Sequence, residues 1–377
     1  MKFNIKTKDY PFYFLSLLIF YFWMYAMFYA AKNYYSFSKV SFLSYNKSLS
    51  FKSKIERERY DVNCKLIFEM DTNEMNKSIE LLNSLRAREY NHERLRLVPD
   101  VNYIFDATRC EMYKQIRGFY KYTASDLIDD FEYQFPLAYS ILTYNNVEQF
   151  ERMLLAIYRP HNVYCIHIDN KSNIVFKKAI ESIVNCFDNV FITTQLLDIV
   201  YAGYNRLQAD INCMNDILSL TSRTSFLYQK IIDQKNFLNK NLNKNWKYLL
   251  NYAGSEFPLR TNYELTLILN RYNGSNEIGI IKHINPNFIN RTWEVKFNRY
   301  NVAYMSPTNH SKSRPPHSYK IVKGLAYWAL SRKFVEYATS NQNAQELLKW
   351  SVDTYSPDEW LVFFVYLTSC LISFSKY

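Results

Sequence analysis

Glycine and proline are scarce: 6 and 10 residues of 377. So low a content excludes a collagenous, linker-dominated or low-complexity chain, and no internal repeat points to a solenoid. Charge is sparse as well, at 21% of residues against 48% hydrophobic, so a sizeable core is expected and intrinsic disorder is not. Acidic side chains are the scarcer sign, 35 against 46 basic, and the resulting +11 suits anionic partners such as nucleic acid, lipid headgroups or nucleotide diphosphates. Charge alone does not choose among them. The length allows two domains, or one large domain with accessory segments, at roughly 100–200 residues per domain. The abundant Tyr and Phe fit a biased coding composition and carry little functional weight.

One long apolar run is present. From Tyr10 to Ala31 no charged residue intervenes, close to the ~20 residues that span a bilayer as a helix. The run exceeds the 7–15 residues usual for a signal-peptide core and lacks a clear small-residue cleavage site, so it reads as an anchor, with a cleaved signal as the alternative. Lys2, Lys6 and Lys8 precede it, which favours a cytosolic N-terminus. The bulk of the chain is then lumenal, where sequons at Asn46, Asn76, Asn170, Asn273, Asn290 and Asn309 and bridges among six cysteines have meaning. A lumenal address argues against a nucleic-acid partner. Spacing leaves all fifteen full cysteine pairings open.

Residues 32–105 are polar and read as a stem, with a helical pattern around Ile79, Leu82 and Leu85. From Leu137 the pattern alternates: a buried-strand run LAYSILTY, a helix over Asn146–Tyr158, the strand VYCIHID, a helix over Ser172–Val184 and the strand VFITT. A helix over Tyr204–Leu218, the strand WKYLLNY, a helix after Thr261, the strand GLAYWAL and helices over Ser331–Thr339 and Asn343–Trp350 complete an α/β class. Residues 221–244 read as a surface loop.

Two clusters carry candidate chemistry. Cys165, His167 and Asp169 share one face of a strand; metal ligation is conceivable, but a buried strand face with Asp169 at its carboxyl end is the better reading. Asp169-Asn170-Lys171-Ser172 suits either a nucleotide contact or a turn and helix cap. Ser356-Pro357-Asp358-Glu359 has the form of a capping box, with Glu359 reaching back to Ser356. A carboxylate kept ionised at a helix start can also serve as a general base. No D-x-D occurs, the pair with which metal-dependent sugar transferases commonly chelate Mn²⁺ and a diphosphate.

The stretches FPLAYS (135–140), ERMLLAIYRPHNVYCIHIDNKS (151–172), VYAGYNRLQADINCM (200–214), WKYLLNYAGSEFPLRTNYE (246–264), KGLAYWALSR (323–332) and WSVDTYSPDEW (350–360) together resemble the core-2/I-branching β-1,6-N-acetylglucosaminyltransferases, glycosyltransferase family 14. The resemblance implies a GT-A-like, Rossmann-type nucleotide-sugar domain in a type II Golgi membrane protein. It implies metal-independent, inverting transfer of GlcNAc from UDP-GlcNAc to the 6-hydroxyl of galactose or GalNAc on O-glycans. Carried over by position, Glu359 is the catalytic base, and Leu142, Thr143, Tyr144, Asp169, Asn170, Lys171 and Tyr201 contact the donor, with Tyr144 where the family often has His. Disulfides Cys110–Cys186 and Cys165–Cys213 follow, which removes Cys165 as a metal ligand. Acceptor contacts fall at Glu277, Lys282 and Arg291, and Gly279 replaces a family Glu.

The implied layout is a cytosolic tail over 1–9, an anchor over 10–31, a stem over 32–105, a catalytic domain over 106–360 and a divergent apolar tail over 361–377. The family continues well past its SPDE motif, and that portion supplies the cations that neutralise the leaving UDP. The chain as written is expected to be truncated and short of those cations, and losing one such stabiliser typically costs about 10²–10³ in rate. A related peptide O-xylosyltransferase and an inactive lumenal glycan-binding remnant are the alternatives.

Overall fold

The computed structural model describes residues 62–90, 98–122, 128–220, 245–281, 285–319 and 321–359. The expected tail and anchor (1–31), the first part of the stem, the 221–244 loop and the 361–377 segment lie outside the described residues. Among the described residues no helix is long and apolar enough to cross a membrane.

The strands in chain order are β1 (Leu137–Thr143), β2 (Val163–Ile168), β3 (Val190–Ile192), β4 (Tyr248–Ala253), β5 (Glu277–Ile281), β6 (Arg291–Phe297), β7 (Ala303–Ser311) and β8 (Lys323–Ser331). Six of them form one sheet in the order β3-β2-β1-β4-β8-β5, and β6 and β7 form a separate hairpin. β3, β2, β1 and β4 run parallel, while β8 is antiparallel to β4 and β5 to β8. The mixed α/β class and its mostly parallel centre are therefore as the alternation of strand and helix patterns predicts. Parallel strands covered on both faces need continuous apolar runs rather than alternation; β2 is buried at every position, and so is β1 except at Leu142.

Helices α1 (Val147–Ile157), α2 (Ile174–Val184), α3 (Tyr204–Ser219), α4 (Asn262–Arg271), α5 (Arg332–Ser340) and α6 (Gln342–Ser351) fall close to the expected spans. Their starts show why. The Asn146 side chain accepts from the Gln149 N–H at 3.0 Å at the head of α1, Asn173 caps α2, and Thr261 and Glu264 form a capping box on α4. The Cys165–Cys213 bridge ties β2 to α3 inside the core, and Cys110–Cys186 ties the segment before the sheet to the end of α2.

Strands β5, β6 and β7 are additions to the sequence reading. The β6–β7 hairpin has no continuous buried face, with Val295, Phe297, Val302 and Tyr304 exposed, so it lacks the periodic signal from which half-buried strands are read. Residues 98–105, within the expected stem, pack onto this body: Tyr103 and Phe105 are buried, and Asp100 accepts from the Val147 N–H at 3.2 Å.

The amino edge of the sheet is closed by a buried polar network. Arg159 donates to Glu132 at 2.6 Å, Asn262 donates to the same carboxylate at 2.6 Å, and Asn162 accepts from the Leu137 N–H at 2.8 Å. His161 lies beside it with neither ring nitrogen hydrogen-bonded among the described residues. Burial, aided by Arg159, lowers its pKa to about 4. At the carboxyl end of β2, burial also lowers His167 to about 4, assisted by Arg206 and opposed by Asp210 and Asp169. Both folded values lie below the unfolded 6.5, so stability is fully present above that pH and is lost as pH falls toward 4. The ceiling is on the order of 3 kcal/mol per histidine. Thermal melts from pH 7 to 4.5 should show a steep loss, and H161F and H167Q variants should flatten it; parallel curves for variants and wild type would refute this.

Candidate active site

The parallel strands end together, so the turns after β1, β2 and β4 share one edge with the first residues of antiparallel β8. In an open α/β sheet this carboxyl edge, where strand order reverses, forms the ligand crevice. Here the reversal is between β1 and β4. The three turns are laced by backbone bonds: Asp169 N–H donates to the Thr143 carbonyl at 2.9 Å and Gly254 N–H to the Leu142 carbonyl at 2.7 Å. A Cβ on Gly254 would lie 2.5 Å from the Thr143 hydroxyl oxygen, so only glycine permits this approach.

The residues expected to contact a donor are brought together along this edge, with unequal exposure. Tyr144 and Tyr201 are open, the latter 85% exposed, whereas the Thr143 side chain is buried and its hydroxyl has no partner among the described residues. Asp169 organises its own turn: its carboxylate accepts from the Lys171 N–H at 3.0 Å and the Ile199 N–H at 3.3 Å, and Lys171 Nζ stands 3.7 Å away. Asn170 donates to Asp198 at 2.9 Å, and the Lys171 and Lys177 ammoniums bond the carbonyls of Ile199 and Asn170. His167 Nε2 accepts from the Leu197 N–H at 3.2 Å. With Cys165 in a disulfide, the Cys165–His167–Asp169 face is no sulfur-bearing metal set.

The SPDE segment departs from the expected capping box. Pro357–Glu359 is one 3₁₀ turn, and Ser356 is left-handed with φ of 50°. The Ser356 N–H that Glu359 was to cap donates instead to the Ala202 carbonyl at 2.7 Å, and Glu359 reaches Lys323 Nζ at 2.8 Å. An extended cap residue would point its N–H toward the third helical residue; a left-handed one turns it away. Glu359 remains 29% exposed on this edge. Its neighbour Asp358 is buried and accepts from the Ser356 hydroxyl at 3.2 Å. Burial raises the Asp358 pKa, Arg206 opposes the rise and Glu359 adds to it.

Arg206, near the start of α3, also donates to Asp210 at 2.6 Å, and Asp210 accepts from the Ser140 hydroxyl on β1 at 2.6 Å. Sequence reasoning missed this set, though Arg206 and Asp210 have the i,i+4 spacing of a helical ion pair. Nothing in the sequence marks Lys323. Among the expected acceptor contacts, Glu277 pairs with Ala329 at the start of β5, four residues before Ile281, which pairs with Lys323, so it lies about 13 Å along the strand from Lys323. Lys282 lies outside the described residues. Arg291 is exposed at the start of β6, whose Trp293 packs on Tyr355 at 4.6 Å between ring centres.

Removing Arg206 leaves buried Asp358 and Asp210 without their cation. R206M should cost about 3 kcal/mol at pH 7. The deficit relative to wild type should shrink as pH falls toward 5, because a carboxylate that has lost its counter-charge takes up a proton. Urea denaturation at both pH values checks this, and a constant deficit would contradict it.

The family model described as Core-2/I-Branching enzyme matches residues 137–227 and 231–368. Similar curated proteins are the beta-1,3-galactosyl-O-glycosyl-glycoprotein beta-1,6-N-acetylglucosaminyltransferase 3 of Mus musculus, 33% identical over 317 residues, and that of Bos taurus, 36% identical over 260. The enzyme of that name, without the numeral, from Bovine herpesvirus 4 is also 36% identical over 260 residues. These alignments cover 84% of this chain and 64% of the mouse protein, and 69% of this chain and 52% of the other two. The chain thus spans about half to two thirds of the length of these relatives. Because the family match takes in more than half of its residues, the protein belongs to the Core-2/I-Branching enzyme family.

Proposed function

We propose that this protein is an inverting β-1,6-N-acetylglucosaminyltransferase that moves GlcNAc from UDP-GlcNAc to the 6-hydroxyl of a galactose or GalNAc on O-glycans. The sheet order and its carboxyl-edge crevice fit a GT-A-like nucleotide-sugar domain. One observation carries the reading: Glu359 presents a partly exposed carboxylate at the crevice, on a turn seated against α3 and β8. Glu359 takes the proton of the acceptor hydroxyl as O6 forms its bond to the anomeric carbon. The bond from that carbon to the diphosphate oxygen breaks on the opposite face, UDP leaves with the electron pair, and configuration inverts. Tyr144, Asp169, Asn170, Lys171 and Tyr201 line the donor side, Leu142 and Thr143 contribute backbone there, and Arg291 is the described basic residue on the acceptor side. A Golgi-lumenal, membrane-anchored setting agrees with the two disulfides.

A positioned general base contributes about 10²–10⁴ in rate. With UDP-GlcNAc and a core-1 disaccharide, E359Q should lower kcat by about 10³-fold and leave UDP affinity within a fewfold; equal turnover by E359Q and wild type would end the proposal. Preference for UDP-xylose would favour the xylosyltransferase alternative, and glycan binding without turnover an inactive lumenal protein.

The reading also takes the transfer to be metal-independent. Activity should persist in EDTA, and loss restored by Mn²⁺ would count against it.

A further inference from the structure

Lys323 is the first residue of β8, on the alternating face that also presents Leu325 and Tyr327. That face is fixed on both flanks. Leu325 covers Gly279 of β5 so closely that a Cβ there would lie 2.4 Å from its side chain, and the Tyr327 hydroxyl lies near enough to Glu256 for that carboxylate to add to the rise that burial gives the tyrosine pKa. The Lys323 backbone pairs with Ile281. Lys323 therefore extends from a rigid strand toward a short turn, and its ammonium meets Glu359 Oε2 at 2.8 Å with both side chains near 30% exposed. Glu359 Oε1 takes no hydrogen bond or ion pair among the described residues.

We propose that Lys323 is a positioning residue for the base, an inference that rests on the role proposed for Glu359. One carboxylate oxygen is tethered and the other is left to receive the acceptor proton. A lone Glu on a 3₁₀ turn has several rotamers; a cation anchored on the sheet selects one of them. The alternative, that Lys323 neutralises the departing diphosphate, conflicts with in-line geometry. In an inverting displacement the leaving group departs from the face opposite the base, whereas this ammonium is bonded to the base.

Misplacing a reacting group by about 1 Å costs on the order of 10² in rate. In the full chain, K323M should lower kcat by about 10²-fold with the KM for UDP-GlcNAc within threefold of wild type. Its melting temperature should be little changed, because a pair this exposed contributes little stability. K323R, which restores a cation, should recover most of the lost kcat, and a crystal structure of K323M should show the Glu359 carboxylate displaced. The inference is overturned if K323M turns over within threefold of wild type, if the loss falls on donor KM, if K323R is no better than K323M, or if the carboxylate stays in place. Should wild type turn over while E359Q does not, and K323M match wild type, this inference alone fails. If wild type and E359Q behave alike, the base assignment fails and takes this inference with it.

Discussion

Arg206 stands between carboxylates from two distant parts of the chain, and the crevice depends on it. On one side Asp210 holds it and is itself held by Ser140 of the central strand; on the other lies the buried Asp358. Without the cation, burial would drive Asp358 toward its neutral form, and the turn carrying Glu359 would lose its charged seat against α3. Helix α3 is a stable platform for that purpose. It is bridged to β2 through Cys213, and near its far end Asp216 accepts from the Thr193 and Thr194 hydroxyls at 2.7 and 2.9 Å. Position passes from the sheet core through α3 and Arg206 to the exposed edge.

The backbone shows what this arrangement costs. Ala202 and Ser356 both have positive φ, 60° and 50°, without being glycine. For ordinary residues this conformation costs about 1–2 kcal/mol each. The two meet through the bond from the Ser356 N–H to the Ala202 carbonyl, so the strained pair joins the loop of Tyr201 to the turn of Glu359. Strain persists where surrounding structure over-determines it, and such places tend to be functional. Here buried Asp358 and Pro357 on one side and the start of α3 on the other leave the two loops little alternative path.

Much of this fold is legible in sequence because parallel strands must be apolar throughout. LAYSILT and VYCIHI cannot be mistaken for solvent-facing strands, and helix-capping Asn and Thr mark where α1, α2 and α4 begin. Edge strand β5, where Glu277 is exposed and Ile278 and Gly279 are only half-buried, and the largely exposed β6–β7 hairpin escape that logic. The SPDE turn escapes it for another reason. Its residue types satisfy a capping box, and only the tertiary claims of Ala202 and Lys323 on the two groups that would close the box decide otherwise. The candidate base was visible through family resemblance; the residues that hold it were not, because Arg206 and Lys323 acquire meaning only from what lies across a helix–strand boundary.

Net charge is similarly poor guidance to the site. At physiological ionic strength the Debye length is about 8 Å, so most of the +11 is invisible to an anion at the crevice. What such an anion meets is local: the Lys171 and Lys177 ammoniums, held on backbone carbonyls, set against Asp169 and Asp198 in the same turns. A carbonyl is a weaker partner for an ammonium than a phosphate oxygen. On the proposed function, a diphosphate reaching this edge would exchange partners with lysines already in place rather than recruit them from solvent. Lys323 stands apart from that set, because its ammonium is bonded to Glu359 at 2.8 Å, whereas Lys171 lies 3.7 Å from Asp169 and bonds a carbonyl. On the proposed function, this division would set cations able to change partner on the donor side and a tethered cation beside the base, as a reaction that separates charge along one line requires.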